Sequence, residues 1–158
     1  MDIAGEYRIP ASREHVWAAL NDPEILRVSI PGCQELDKRS DQEFAAKVVA
    51  KIGPVRATFA GSVTLADLDP PKAYTISGQG QGGMAGFAKG SARVTLSQEA
   101  DGETVLAYVA RADIGGKLAS IGNRIVQSAA KKMADQFFAA FVKTISEGQN
   151  VHAETPPE

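Results

Sequence analysis

The glycines between Gly78 and Gly90 include a spacing that is used to bind nucleotides. Gly78, Gly80 and Gly83 form G-x-G-x-x-G, with which a strand-to-helix turn receives a pyrophosphate in dinucleotide-binding units. That motif requires a helix directly after it, but the following residues alternate between apolar and polar side chains, which predicts a strand. The sequence therefore argues against a nucleotide site. It indicates instead that the glycines let two strands bend and leave the adjoining space free of side chains.

Other residues that could support chemistry do not form a recognisable constellation. The segment "DIGGKLAS" differs from a phosphate-binding loop, because Arg111 stands where the first glycine is needed and Leu118 replaces the Ser or Thr. Cys33 and His15 could act as nucleophile and base, but no third group that would orient the base is evident. One cysteine and two histidines are also too few for a typical zinc site. The sequence predicts no catalytic residue, no metal and no tightly held cofactor.

The composition is that of a single globular domain that does not bind nucleic acid. The chain has 158 residues, a net charge of −2 and no block of Lys and Arg that would neutralise phosphates. The N-terminus lacks the features of a signal peptide, and no apolar run approaches the length of a membrane span. A single cysteine fits a reducing compartment. We expect a cytoplasmic protein, with a peripheral position at the inner face of the cytoplasmic membrane left open.

Two short helices are expected to follow the first strand. The segment "IAGEYRI" reads as a strand that ends at Pro10. Ser12 is a predicted N-cap of the first helix, and Asp22 is a predicted N-cap of the second, with Pro23 at its first position. The turn "PGC" ends this part of the chain.

The remainder predicts an antiparallel sheet covered by one long helix. Alternation with a period of two indicates about six consecutive strands, and a helical pattern then runs from Lys117 to Gly148. The long helix is the only element large enough to cover the apolar face of such a sheet, which predicts an α+β fold. Residues 1–147 are expected to form this domain, and residues 148–158 a polar, disordered tail.

A bent sheet around a helix should enclose a space that is only partly filled. Small residues such as Gly61, Gly78, Gly80, Gly90 and Ala92 fall on the inward faces of the strands, and apolar cavities of this kind bind apolar ligands. The residues predicted to line the space are Leu26, Ile30, Phe59, Val63, Ile76, Met84, Phe87, Leu106, Tyr108, Ile125, Met133 and Phe137.

Three stretches of the chain resemble the CoxG family of carbon monoxide dehydrogenase proteins. They are "IPASREHVWAALNDPEILRVSIPGCQEL", "SGQGQGGMAGFAKGSARVTLS" and "GGKLASIGNRIVQSAAKKMADQFF", and the resemblance extends from Asp2 to Ile145. It implies the helix-grip fold of the START-like, Bet v 1-like superfamily, with about seven strands around the C-terminal helix and a hydrophobic cavity. It also implies that Ile25, Leu26, Ile30 and Pro31 border the cavity mouth, with Met84 and Phe87 as a mobile rim.

The resemblance further implies an accessory role beside a molybdenum hydroxylase of the carbon monoxide dehydrogenase type. Members are associated with recruiting that enzyme to the cytoplasmic membrane, and a lipophilic quinone is a proposed cavity ligand. The leading hypothesis is thus a non-enzymatic protein that binds a quinone or lipid. The alternatives are a ligand-free assembly factor for that enzyme and a cavity enzyme of the cyclase type, for which Tyr108 or Arg93 would be the candidate polar groups.

Overall fold

Seven strands and four α-helices make up the part of the chain that the structure describes. The computed structural model describes residues 1–100 and 102–154, with side chains up to residue 147. The strands are β1 (Asp2–Ile9), β2 (Cys33–Ser40), β3 (Glu43–Ile52), β4 (Val55–Asp69), β5 (Ala73–Gln81), β6 (Phe87–Ala100) and β7 (Glu103–Gly115). The helices are α1 (Arg13–Leu20), α2 (Pro23–Ser29), α3 (Lys117–Ile121) and α4 (Asn123–Glu154).

The strands form one antiparallel sheet in the order β1-β7-β6-β5-β4-β3-β2. Strands β2 to β7 follow one another as a meander, and β1 closes the sheet by pairing with β7. Helix α2 packs on α4, and α4 crosses the concave face of the sheet. The predicted α+β fold with a sheet gripping a long helix is therefore confirmed.

The predicted caps form as expected. The Ser12 hydroxyl accepts a hydrogen bond from the backbone N–H of His15 at 3.2 Å, and an Asp22 carboxylate oxygen accepts one from the N–H of Glu24 at 2.9 Å. Each bond satisfies a backbone donor that the first helical turn leaves without a partner. These caps fix where α1 and α2 begin and thus how α2 reaches the edge of the sheet.

Strand β2 has only a weak signature in the sequence. Its segment, "CQELDKRS", shows only one strongly apolar position, Leu36, so alternation does not assign a strand to these residues. It forms a strand because it pairs with β3 at the end of the sheet. The predicted count of six consecutive strands is nevertheless correct.

The long C-terminal helix differs from its prediction at both ends. Gly122, with φ of 96°, separates the five-residue α3 from α4. At the other end α4 continues through Gly148 to Glu154, so the prediction that Gly148 ends the helix is wrong. A glycine inside a helix costs only about 1 kcal/mol relative to alanine, which a long helix tolerates. The predicted tail, residues 148–158, therefore begins within α4, and residues 155–158 lie outside the described residues.

The densest packing lies at one end of the fold, which we call the α1 end. Here Ile9, Val16, Leu106 and Phe141 are at most 1% exposed, and Ile145 packs with them. Along the sheet away from α1, the inward positions change from large side chains to alanine and glycine. A core concentrated at one end leaves the middle of the fold less filled.

Candidate ligand cavity

An apolar cavity of about 400 Å³ lies between the concave face of the sheet and α4. All seven strands contribute to its walls, together with the ends of α1 and α2 and the middle of α4. The lining residues are Ile3, Leu20, Leu26, Ile30, Leu36, Phe44, Val63, Leu65, Tyr74, Ile76, Ala92, Val94, Leu106, Tyr108, Ala110, Ala130, Ala134, Phe137 and Phe138. The volume falls within the range of small-molecule sites, roughly 300–1,000 Å³.

Small residues on both walls explain why the space stays open. On the sheet, Ala92 pairs with Ala110 across β6 and β7, and both face the cavity. On the helix, Ala130 and Ala134 lie one turn apart on the face opposite them. Alanines on facing walls cannot reach each other, whereas the large side chains at the α1 end do.

Two further rows of small residues continue the concave face beyond the cavity. Along β4, β5 and β6, Val63 is followed by Gly78 and Gly90 in one cross-strand row, and Gly61, Gly80 and Ala88 form the next row. All of these are partly exposed. The cavity therefore continues into a shallow, side-chain-poor trough that leads away from the α1 end.

Gly61 shows what one of these glycines does for the backbone. A Cβ atom at this position would collide with the backbone carbonyl oxygen of Gln79 on the neighbouring strand. Only glycine permits so close an approach, which bends β4 over β5. Curvature, one of the roles predicted for the glycines, is present here. A single 3₁₀ turn, Gly83–Ala85, precedes β6, and it is too short to be the helix that a nucleotide site requires.

Seven of the twelve residues predicted to line the space contribute to the cavity wall: Leu26, Ile30, Val63, Ile76, Leu106, Tyr108 and Phe137. Their role in binding a ligand stays a prediction. At the predicted mouth, Leu26 and Ile30 line the cavity, Ile25 packs against the core, and Pro31 lies in a groove outside it.

Phe59, Met84 and Phe87 lie outside the cavity. The ring of Phe59 covers Gly82, and the ring of Phe87 covers Gly115, so these two glycines accommodate aromatic rings rather than a ligand. Met84 is 89% exposed at the tip of the loop between β5 and β6. Alternation identified the correct face for Phe59, but it carries no information on how far along the strand the cavity extends.

Ile125 and Met133 lie outside the cavity as well. They line a groove of about 710 Å³ on the other side of α4, beside the end of β3. The sheet-facing stripe of α4 is instead formed by Val126, Ala130, Ala134, Phe137, Phe138, Phe141 and Ile145. The break at Gly122 disconnects the helical phase of α3 from that of α4, so a stripe extended from Leu118 selects the wrong face.

Sequence reasoning missed twelve lining residues: Ile3, Leu20, Leu36, Phe44, Leu65, Tyr74, Ala92, Val94, Ala110, Ala130, Ala134 and Phe138. Phe44, Leu65, Ala92 and Val94 fall on strand faces that alternation marks as inward, so a signal for them was available. The alanines of α4 gave none, because alanine suits both faces of a helix.

The polar groups of the cavity wall are the hydroxyls of Tyr74 and Tyr108. Burial raises the pKa of Tyr74 above its ordinary value, so this phenol stays neutral at physiological pH. The Tyr108 hydroxyl is buried and has no hydrogen-bond partner among the described residues. Its ring lies over Gly5, where a Cβ would come within 2.6 Å of the ring. The wall therefore presents two neutral hydroxyls in an otherwise apolar surface.

Tyr7 connects this wall to α4. Its hydroxyl donates a hydrogen bond to Asp135 at 2.7 Å, and its ring stacks on Phe138 with centroids 4.2 Å apart. Desolvation and the neighbouring Asp135 raise the pKa of Tyr7. The contact fastens β1 to the helix on one side of the cavity.

The lining of the cavity contains no Asp, Glu, His, Cys, Lys or Arg among the described residues. Arg93, the second candidate for an enzymatic role, is exposed and donates hydrogen bonds to the Asp67 carbonyl and the Thr75 hydroxyl, at 3.2 and 3.1 Å. It lies outside the cavity, because it occupies the opposite face of β6 from Val94. The wall lacks a group suited to acid–base or nucleophilic catalysis.

Other candidate chemistry is equally unsupported within the described residues. Burial raises the pKa of the Cys33 thiol, which is the reverse of what an activated nucleophile requires. Among the side chains that the structure describes, no three His, Cys, Asp or Glu residues cluster as metal ligands. None of the helices in the described ranges is long and apolar enough to cross a membrane.

Comparison with known proteins gives a family match over most of the chain. The family model for CoxG, a subunit of carbon monoxide dehydrogenase, matches residues 5–146. Among curated proteins, none matches the sequence.

Solved structures support the same fold. A conserved protein from Geobacillus kaustophilus is 30% identical, with a TM-score of 0.87 over 93% of this chain and 96% of its own. A START superfamily protein from Mycobacterium smegmatis is 14% identical, with a TM-score of 0.69 over 92% and 97% of the two chains. The Zhui aromatase/cyclase from Streptomyces sp. R1128 is 10% identical, with a TM-score of 0.65 over 91% and 92%. The last two show a shared fold only.

Proposed function

The chain belongs to the CoxG family of carbon monoxide dehydrogenase, and from this premise we propose that it is a non-enzymatic accessory protein that holds a lipophilic molecule, a quinone or lipid, in its cavity. It would serve a molybdenum hydroxylase of the carbon monoxide dehydrogenase type and help to bring that enzyme to the membrane. The observation that carries the proposal is the apolar cavity of about 400 Å³ with two neutral hydroxyls in its wall.

The chemistry of the wall selects the class of ligand. A charged ligand would have to leave water for a wall without a compensating charge, which is strongly unfavourable. An apolar ring or chain gains free energy in proportion to the apolar surface that it buries. A hydroxyl or carbonyl on the ligand would pair with Tyr74 or Tyr108. A quinone or a lipid fits these requirements.

The link to a hydroxylase and to the membrane rests on family membership. A protein of this family that carries a membrane-soluble molecule to a redox enzyme would need no catalytic group of its own, which agrees with the composition of the wall. Proteins of the same fold include one named as an aromatase/cyclase. The absence of acidic, basic and thiol side chains from the described cavity wall favours carriage of a ligand over its conversion.

Ligand identification and thermal denaturation test the proposal together. We expect mass spectrometry of an organic extract of gently purified protein to reveal a lipophile, and we expect added decylubiquinone to raise the melting temperature. The variant Ala134→Leu, which fills the cavity, should remove that increase. Ala139→Leu, an equal change on the exposed face of the same helix, should retain it. If no lipophile is extracted and decylubiquinone leaves the melting temperature unchanged, the chain is a ligand-free interaction factor.

A further inference from the structure

One end of the molecule, opposite the α1 end, combines exposed apolar side chains with uncompensated positive charge. We call it the glycine-loop end, and it consists of residues 51–56, 82–87 and 115–125. These segments are the β3–β4 turn, the loop before β6, and α3 with the start of α4. They lie together because Gly53 lies beside Ile121 and Ile125, and Gly86 lies against Gly116.

The charges of this end have a single sign. It contains Lys51, Arg56, Lys117 and Arg124, which are four of the 17 Lys and Arg residues, and none of the 19 Asp and Glu residues. All four are exposed, and none forms a salt bridge within the described part of the chain. In a protein whose net charge is −2, this end is therefore locally basic.

Apolar side chains project from the same surface. Met84 is 89% exposed, Phe87 42% and Ile125 44%, and these are three of the six exposed large apolar residues of the described chain. Exposed apolar side chains that occur singly are ordinary, but a group of three among cations is typical of surfaces that bind another molecule.

A groove beside α4 extends the basic surface. It has a volume of about 710 Å³, and its lining includes the side chains of Lys51, Arg124 and Lys132 above apolar contacts from Ile125 and Met133. No Asp or Glu belongs to this lining among the residues described. The groove can therefore accept an anionic group with an apolar portion, which is the chemistry of an acidic phospholipid.

We propose that the glycine-loop end docks on a bilayer surface that contains anionic phospholipid. The four cations and Lys132 meet the lipid phosphates, and Met84, Phe87 and Ile125 enter the boundary between headgroups and acyl chains. A lipid surface satisfies both features at once, whereas an acidic protein surface would leave Met84 without a reason for its exposure.

The position of the glycine trough gives this orientation a purpose. The rows Gly61–Gly80–Ala88 and Gly78–Gly90 run from the cavity toward the glycine-loop end. Docking at this end would therefore place the cavity's side-chain-poor side toward the lipid, so that a ligand can pass between them without crossing water. This part of the inference rests on the proposed function, because it assumes a lipophilic ligand.

Co-sedimentation of the full chain with vesicles tests the docking surface. We expect binding to vesicles of phosphatidylcholine with phosphatidylglycerol, little binding to phosphatidylcholine alone, and loss of binding in high salt. The double variant Lys51→Gln/Arg124→Gln should bind about 25-fold more weakly, at about fivefold for each charge near an anionic surface. Met84→Ser should also weaken binding without changing the salt dependence.

A matched control removes the same charge elsewhere. Arg39 and Lys72 are exposed at the α1 end, so Arg39→Gln/Lys72→Gln should bind vesicles like the native chain. Equal binding by the two double variants would overturn the proposal, as would a native chain that does not bind anionic vesicles. Binding to the hydroxylase, rather than to vesicles, that depends on Lys51 and Arg124 would assign the surface to a protein and also overturn it.

The outcome is separable from that of the ligand proposal. Lys51→Gln/Arg124→Gln leaves the cavity wall unchanged, so it should retain the increase in melting temperature with decylubiquinone. Failure of vesicle binding with an intact increase would refute the docking surface alone. Vesicle binding without any effect of the quinone would instead refute the ligand proposal.

Discussion

At the scale of single residues, glycines shape this molecule by what they place beside them. Gly5 lies directly across from Tyr108 on β7 and under its ring. Gly82 and Gly115 serve the rings of Phe59 and Phe87 in the same way. The cavity wall thus depends on glycines outside the G-x-G-x-x-G segment as well as within it.

We predict opposite effects on stability for two glycine-to-alanine substitutions. Gly5→Ala would bring a Cβ within 2.6 Å of the Tyr108 ring and should lower the free energy of unfolding by about 1–3 kcal/mol, as overpacking does. At Gly80 the nearest atom to a new Cβ is 3.8 Å away. Gly80→Ala should therefore raise stability by about 0.4–1 kcal/mol, because it restricts the unfolded chain. Urea denaturation measures both, and equal effects would contradict the assigned contacts.

At the scale of elements, the sequence predicted what local physics determines. Caps at Ser12 and Asp22 were predictable because they need only a side-chain oxygen and a nearby backbone N–H. Strands β3 to β7 were predictable from alternation, since one face of each must be buried. Strand β2 was not, because its pairing with β3, rather than its own pattern, makes it a strand.

The Ser12 cap gives a prediction at this scale. Ser12→Ala removes the acceptor for the His15 N–H and should destabilise the protein by about 1 kcal/mol. Ser12→Gly should cost only a few tenths of a kcal/mol, because water then reaches the exposed donors of the helix. Urea denaturation of the two variants compares them directly. A larger loss for glycine than for alanine would show that the cap bond does not fix the start of α1.

The extent of the cavity could not be predicted from local patterns. Alternation places Phe59 and Val63 on the same face of β4, and both are apolar, yet only Val63 lines the cavity. The difference depends on where α4 crosses the sheet and on a break at Gly122, neither of which has a strong local signature. Faces of elements are encoded locally, whereas the extent of a space between elements depends on their mutual packing.

At the scale of the whole molecule, the structure is divided along its long direction. A dense core occupies the α1 end, the apolar cavity lies in the middle, and the basic and apolar glycine-loop end lies beyond a trough of glycines. These three regions are assigned, in turn, to stability, to ligand binding and to docking on lipid. A substitution in one region should therefore leave the other two properties measurable.

The central claim, that the cavity binds a lipophilic ligand, can be measured through Trp17. It is the only tryptophan of the chain, and its ring packs edge-on against Tyr74 of the cavity wall with centroids 5.4 Å apart. Because quinones quench tryptophan fluorescence at short range, a titration with decylubiquinone should report binding directly.

We predict saturable quenching of Trp17 by decylubiquinone in the native chain and in Ala139→Leu. In Ala134→Leu the cavity is smaller, and the midpoint of the titration should shift at least about tenfold to higher concentration, which corresponds to a loss of about 1.4 kcal/mol. Quenching that does not saturate, or that has the same midpoint in Ala134→Leu as in the native chain, would contradict the claim that the ligand occupies this cavity.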